Sequence, residues 1–162
     1  LFRIFRDVRF SHDKSPYKTN MGAWMTDGGK DSWNAGYYIH VEPGDKSFIA
    51  GGSYMPPAPV LKSIREAIDD DFEGLQALLS DKGFVKSFGK LEGETVKTAP
   101  KGYDKNHPAI ELLKHKSFVV SAHFTDKAIA SPDFLKQALG MYKQMHPLLV
   151  FLNRAIGEAV KS

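Results

Sequence analysis

The chain has 162 residues, 42% of them hydrophobic and 25% charged, a balance that supports one folded domain with a real core and argues against disorder. Cysteine is absent, which excludes disulfides, thiol catalysis and thiolate metal sites and makes a reducing cytoplasm the default expectation. The net charge of +3 is small and uneven: residues 41–80 carry three Lys/Arg against seven Asp/Glu, the pattern of a bipolar surface rather than of a general nucleic-acid binder.

The first ten residues, LFRIFRDVRF, alternate as a strand does. Phe2, Ile4, Val8 and Phe10 share one face with Arg6, and Arg3, Phe5, Asp7 and Arg9 share the other. An arginine on an apolar face is costly unless a carboxylate or carbonyl meets it. There is no apolar h-region, so this is not a signal peptide, and no apolar run in the chain is long enough to span a bilayer. The strand pattern begins at once and without Met, so an N-terminal segment is expected to be missing.

Ser15-Pro16 marks a turn, residues 19–25 read as a second strand, and TDGGKDS at 26–32 reads as a loop. Gly36 to Glu42 (GYYIHVE) and Ser47 to Met55 (SFIAGGSYM) form a hairpin around Pro43-Gly44-Asp45-Lys46. In it Tyr37, Ile39 and Val41 share one side, and Tyr38, His40 and Glu42 the other. Gly51-Gly52 inside the second strand predicts a bulge or a close approach.

Pro56, Pro57 and Pro59 end the sheet, and Val60, Leu61, Ile64, Ala67 and Ile68 hold a helical period. Asp71 is placed to cap a second helix with Phe72, Leu75, Leu78 and Leu79 inward. Residues 81–106 read as irregular, with short strands near Phe84–Phe88 and Thr95–Thr98. His107-Pro108 opens a short helix to Leu113, and Ser117 to Thr125 (SFVVSAHFT) is a strand. Ser131-Pro132-Asp133 starts a final helical stretch to about Val160, which Pro147 is expected to kink or split near Met145. Strands, then helices, a strand and helices again predict an α+β fold in a single domain over 1–162. An antiparallel sheet is covered by helices on one face, leaving the other open for function.

Several stretches resemble the signature of a family of conserved uncharacterised proteins, a domain of unknown function. They are Arg3 to Ser11 with Asp13-Lys14 and Pro16-Tyr17-Lys18; GYYIHVEPG at 36–44; GGSYMPPAPVLKSIREAI at 51–68; and PKGYDKNHPAIELLKHKSF at 100–118. The resemblance covers nearly the whole chain. It implies a helical stretch ahead of residue 1 and assigns no catalytic residues.

The densest polar segment is RDVRFSHDKSPYK, residues 6–18. Arg9, Lys14 and Lys18 are suited to cradle a phosphate or carboxylate, with Tyr17 stacking or donating a hydrogen bond. The alternative is an ion-pair lattice: Asp7 with Arg9, Asp13 with Lys14 or Lys18, and Arg6 buried against Glu42 or another carboxylate. Same-face strand neighbours lie about 7 Å apart, so Tyr38, His40 and Glu42 can share a ligand, with His40 and Glu42 as candidate proton-transfer residues; the alternative is a solvated sheet face. His123 joins them if its strand is near.

A third candidate is the Lys101–Tyr103 loop, whose alternative is a simple helix-capping turn. His12, His40, His107, His115, His123 and His146 show no metal-ligand spacing, so neither metal nor cofactor is expected. No P-loop, nucleophile elbow or GxGxxG occurs. The reading is a soluble domain that binds a small anionic or polar ligand in a basic-aromatic pocket on an open sheet face. The alternatives are a nucleic-acid module and a scaffold whose polar motif is purely structural.

Overall fold

A computed structural model describes residues 2, 9, 12, 14, 17–29 and 32–159. Residues 36–53 set the frame. Alternating side chains and a turn at 43–45 fold them into a hairpin of β2 (Gly36–Val41) and β3 (Ser47–Ser53), preceded by β1 (Met21–Met25). β4 (Phe118–Phe124) adds after a long helical excursion, giving a four-stranded sheet in the order β1-β2-β3-β4. All three pairings are antiparallel.

The helices follow their caps. α1 (Ala58–Asp70) starts just after Pro57 and buries Val60, Ile64 and Ile68. Asp71 accepts from the Gly74 N–H to start α2 (Phe72–Leu79). Asp81 does the same with Phe84 for α3 (Lys82–Phe88). Residues 84–88 are therefore helical, not the expected strand. Phe84 and Phe88, four apart, fall on one buried stripe and meet edge to face at 5.0 Å. Of the second expected short strand, Thr95 alone makes an isolated pairing, with His115. The single turns α4 (Ile110–Leu113) and α5 (Asp126–Ile129) flank β4.

α6 (Phe134–Ala159) runs as one helix through Pro147, so the expected split does not occur. Proline removes the bond to the carbonyl four residues back, which is that of Lys143. Lys143 and Pro147 are both exposed, so water can meet that carbonyl. Meanwhile Met145, Leu148, Leu149 and Leu152 are buried on either side of the break and hold the axis together.

α6 lies on the sheet face that carries Tyr37, Ile39, Ile49 and Gly51. The Tyr37 ring meets Tyr142 at 4.9 Å, and a side chain on Gly51 would strike Met145 and Leu149. This is the close approach that the Gly51-Gly52 pair predicted. Gly52 also has φ +136 and passes so near the Phe118 carbonyl that no Cβ fits. Among the described residues no helix is long and apolar enough to cross a membrane.

Candidate functional site

The face opposite α6 carries the Tyr38, His40 and Glu42 side chains. Strand register places Gly22, His40, Phe48 and His123 in one row across β1 to β4, and Trp24, Tyr38, Ala50 and Ser121 in the next. Tyr38, His40 and Glu42 do more than share the face. The Tyr38 hydroxyl lies 3.1 Å from His40 Nδ1, and His40 Nε2 lies 2.9 Å from Glu42 Oε2. Lys46 Nζ reaches the other Glu42 oxygen at 3.3 Å, and the Asn20 amide donates to Oε2 at 3.5 Å. The result is a continuous relay from phenol to imidazole to carboxylate. Its inner members are mostly shielded: the side chains of His40 and Glu42 are 15% and 19% exposed.

Each member is positioned by local structure. The Ser47 hydroxyl accepts from the Glu42 N–H and donates to the Glu42 carbonyl, fixing the strand end. The turn beyond is held from β4's far end. The Gly44 and Asp45 N–H groups donate to the Asp126 carboxylate, and the Asp126 N–H donates to Asp45. His40 stacks on Phe48, with ring centroids at 4.9 Å and planes 18° apart, and Phe48 meets His123 at 5.5 Å. His123 thus shares the face with His40, with Phe48 between them. Gly22 opposes His40 in the register, and its missing side chain is what seats Tyr38: a Cβ there would lie 2.5 Å from the tyrosine hydroxyl.

The electrostatics follow from these contacts. The hydrogen bond from His40 is the largest influence on the Glu42 carboxyl; burial opposes it, and the bond and charge of Lys46 add to it, so that the group is held below the usual carboxylate range. Burial raises the Tyr38 phenol, so it stays protonated at neutral pH. With the carboxylate ionised, Nε2 is the protonated ring nitrogen and Nδ1 can accept the phenol's proton.

The basic segment is only partly described. Arg9, Lys14, Tyr17 and Lys18 are exposed, and Arg9, Lys14 and Tyr17 each take part in an interaction. Arg6, Asp7 and Asp13, on which the ion-pair lattice turned, lie outside the described residues, as does the Ser15-Pro16 turn. Phe2 touches both the sheet edge and the relay: its N–H donates to the Gly22 carbonyl, and its ring meets Tyr38 at 6.1 Å.

The Lys101–Tyr103 loop stands apart from this face. Lys101 is exposed, and Tyr103 packs beside α1, where burial and the charges of Asp69 and Glu66 raise its pKa. His107 anchors the loop through a 2.8 Å contact with Asp69. The Arg65 guanidinium opposes those carboxylates at the phenol.

Phe48, Gly22, Ser121 and Glu92 were not among the expected site residues. Hairpin register alone would have put Phe48 opposite His40. Glu92 gave no local signal. It reaches the face because residue 92 pairs with Val119 beside β4, and its carboxylate then accepts from the Ser121 hydroxyl at 2.6 Å. Among the described residues no group of three or more His, Asp or Glu side chains is arranged to hold a metal.

A sequence model of a family described as "Conserved hypothetical protein (DUF2461)" matches residues 1–151. No curated protein and no solved structure matches the chain.

Proposed function

The chain belongs to this DUF2461 family of conserved hypothetical proteins, and we propose that the sheet face opposite α6 is its working surface, binding a small polar or anionic ligand against the Tyr38–His40–Glu42 relay. One observation supports this most: three titratable side chains are joined end to end at 3.1 and 2.9 Å on the face that α6 leaves uncovered. Tyr38 is the end that meets the ligand. As it accepts a ligand proton, its own passes to His40 Nδ1, and Glu42 stabilises the imidazolium that forms. Arg9, Lys14 and Lys18, with Tyr17, supply charge and a ring for an anionic group.

The test is a titration of the protein with inorganic phosphate and a panel of carboxylated and phosphorylated metabolites, followed by imidazole 15N NMR. A ligand that shifts His40 and binds at least tenfold more weakly to His40→Gln supports the proposal. Absence of any His40 response ends it. A second reading has its own observation: both His40 nitrogens are satisfied inside the protein, so the relay can serve purely as a lock. On that reading Tyr38→Phe and His40→Gln each lower the melting temperature by several degrees while no ligand binds.

A further inference from the structure

On the face that carries α6, helical cover runs out before the sheet does. α6 packs on β3 and α3 on β4. Register puts Ile49 of β3, Ile39 of β2 and Ala23 of β1 in one row on this face. Ile49 is wholly buried, whereas Ile39 and Ala23 are only half-buried. On either side of Ala23, Met21 and Met25 point the same way and are 53% and 44% exposed. The apolar face of β1 is thus turned to solvent.

α6 leaves a matching stripe exposed. Tyr142 and His146 both meet Tyr37 of β2, so they mark the flank of α6 turned toward β1. Leu139, three before Tyr142, and Val150, four after His146, continue that flank and are 51% and 52% exposed. The two apolar surfaces join over Tyr37 and Ile39 as the floor and wall of one strip. β1 lies two strand spacings from β3, about 10 Å. Packed helices have axes about 8–10 Å apart. A second helix laid over β1 beside α6 therefore fits the strip, with the sheet below it and Leu139 and Val150 at its side.

Charge narrows the kind of helix. From Phe134 to Gly157 the charged residues of α6 are Lys136, Lys143 and Arg154, all of them exposed. Lys136 lies three before Leu139, Lys143 four after it, and Arg154 four after Val150, so cations border the stripe on its outer side. We propose that the strip between β1 and α6 is a docking site for an amphipathic helix of a partner protein. The apolar stripe of that helix lies against β1 and α6, and its acidic residues run along the edge that meets Lys136, Lys143 and Arg154. The site is independent of the Tyr38–His40–Glu42 relay, which lies on the opposite face.

The experiment titrates the full chain with a helical peptide of about 18 residues, enough to run beside the exposed part of α6. The peptide carries leucines on one stripe with glutamates beside them. Two controls keep its length: one with lysines for the glutamates, and one scrambled so that the stripe is broken. Methyl NMR is expected to show shifts at Met21, Met25, Leu139 and Val150 and none at His40, with the acidic peptide binding at least tenfold more tightly than either control. Leu139→Gln with Val150→Gln is expected to weaken it at least tenfold, and Val85→Gln, exposed on α3, to leave it unchanged. Lys143→Glu with Arg154→Glu is expected to reverse the preference toward the lysine peptide. Amide spectra establish that the variants fold. Silence of the strip methyls, equal binding of the scrambled peptide, or full binding by the Leu139 and Val150 variant overturns the helix site. Two further results overturn it by naming another occupant. One is dimerisation in sedimentation that moves the same methyls, which makes the occupant a second copy. The other is phosphatidylserine vesicles moving those methyls where the peptide does not, which makes it a lipid surface.

Discussion

Tyr37 and Tyr38 are neighbours on one strand and each meets a histidine Nδ1, yet the two pairs are built differently. Tyr37 reaches His146, 109 positions away on α6, at 3.0 Å. Tyr38 reaches His40, two residues on, at 3.1 Å. The first pair ties sheet to helix beside a core of Tyr142, Met145 and Leu149, and among the described residues His146 has no carboxylate partner. The second pair lies within a single strand and needs no such tie, and it alone continues to a carboxylate. A third partner sets the tautomer of an imidazole and charges the pair asymmetrically. The comparison separates a fastening from a relay, and it can be broken at three levels.

The largest contrast lies in the two faces themselves. Ile49 and Phe48 are consecutive on β3, but Ile49 is wholly buried under the helices while Phe48 is half-buried on the open face. Ile49→Ala is expected to cost about 3 kcal/mol, and Phe48→Ala, which deletes a larger side chain, about half of that. Urea unfolding of the two variants measures it. Equal or inverted losses would mean that the open face is itself packed core, and the case for a ligand surface there would fall.

The second contrast concerns glycine. Gly22→Ala drives a methyl group onto the Tyr38 hydroxyl and is expected to cost about 1–2 kcal/mol as an overpacking change. It should also shift the His40 Nδ1 resonance. Gly140→Ala on α6 meets nothing within 4 Å and is expected to stabilise by about 0.5–1 kcal/mol through helix propensity. A Gly22→Ala protein with an unchanged His40 spectrum would show that Tyr38 does not depend on that gap for its position.

Much of this was legible in the sequence because it is local. Period-2 alternation around a Pro-Gly-Asp turn gave the hairpin and put Tyr38, His40 and Glu42 on one face. Asp71 before an apolar run gave the α1–α2 junction. What escaped was of two kinds. Phe84-Val85-Lys86-Ser87-Phe88 fits both a strand end and a helical stripe, and only the Asp81 cap decides between them. Pro147 was read as a kink or a split, and the packing of Met145, Leu148, Leu149 and Leu152 keeps the helix from splitting there. Glu92 was invisible for a further reason: it joins the face through pairing with residue 119, and no short-range pattern encodes a contact across 27 positions. For the site, spacing predicted neighbours about 7 Å apart. The direct contacts arise because the side chains lean toward one another along the strand.

The finest contrast is in pH. Glu42 has its carboxyl held below the ordinary range, chiefly by the His40 hydrogen bond and then by Lys46. A carboxyl whose folded value is depressed adds stability that is fully present above its unfolded value, about 4.3, and is lost as pH falls through the folded value. Glu42→Gln should therefore lie below the native protein in melting temperature at pH 6 to 7, with the gap closing as pH falls through the folded value of the native carboxyl. Asp126, lowered by the N–H groups of Gly44 and Asp45, titrates in the same acid range. It is present in both proteins, so it cancels in the difference. A gap that stays constant down to the acid unfolding limit of the native protein would mean that the shape of the Glu42 side chain, and not its charge, supports His40. The relay would then be a second fastening, differing from the Tyr37 pair only in being local.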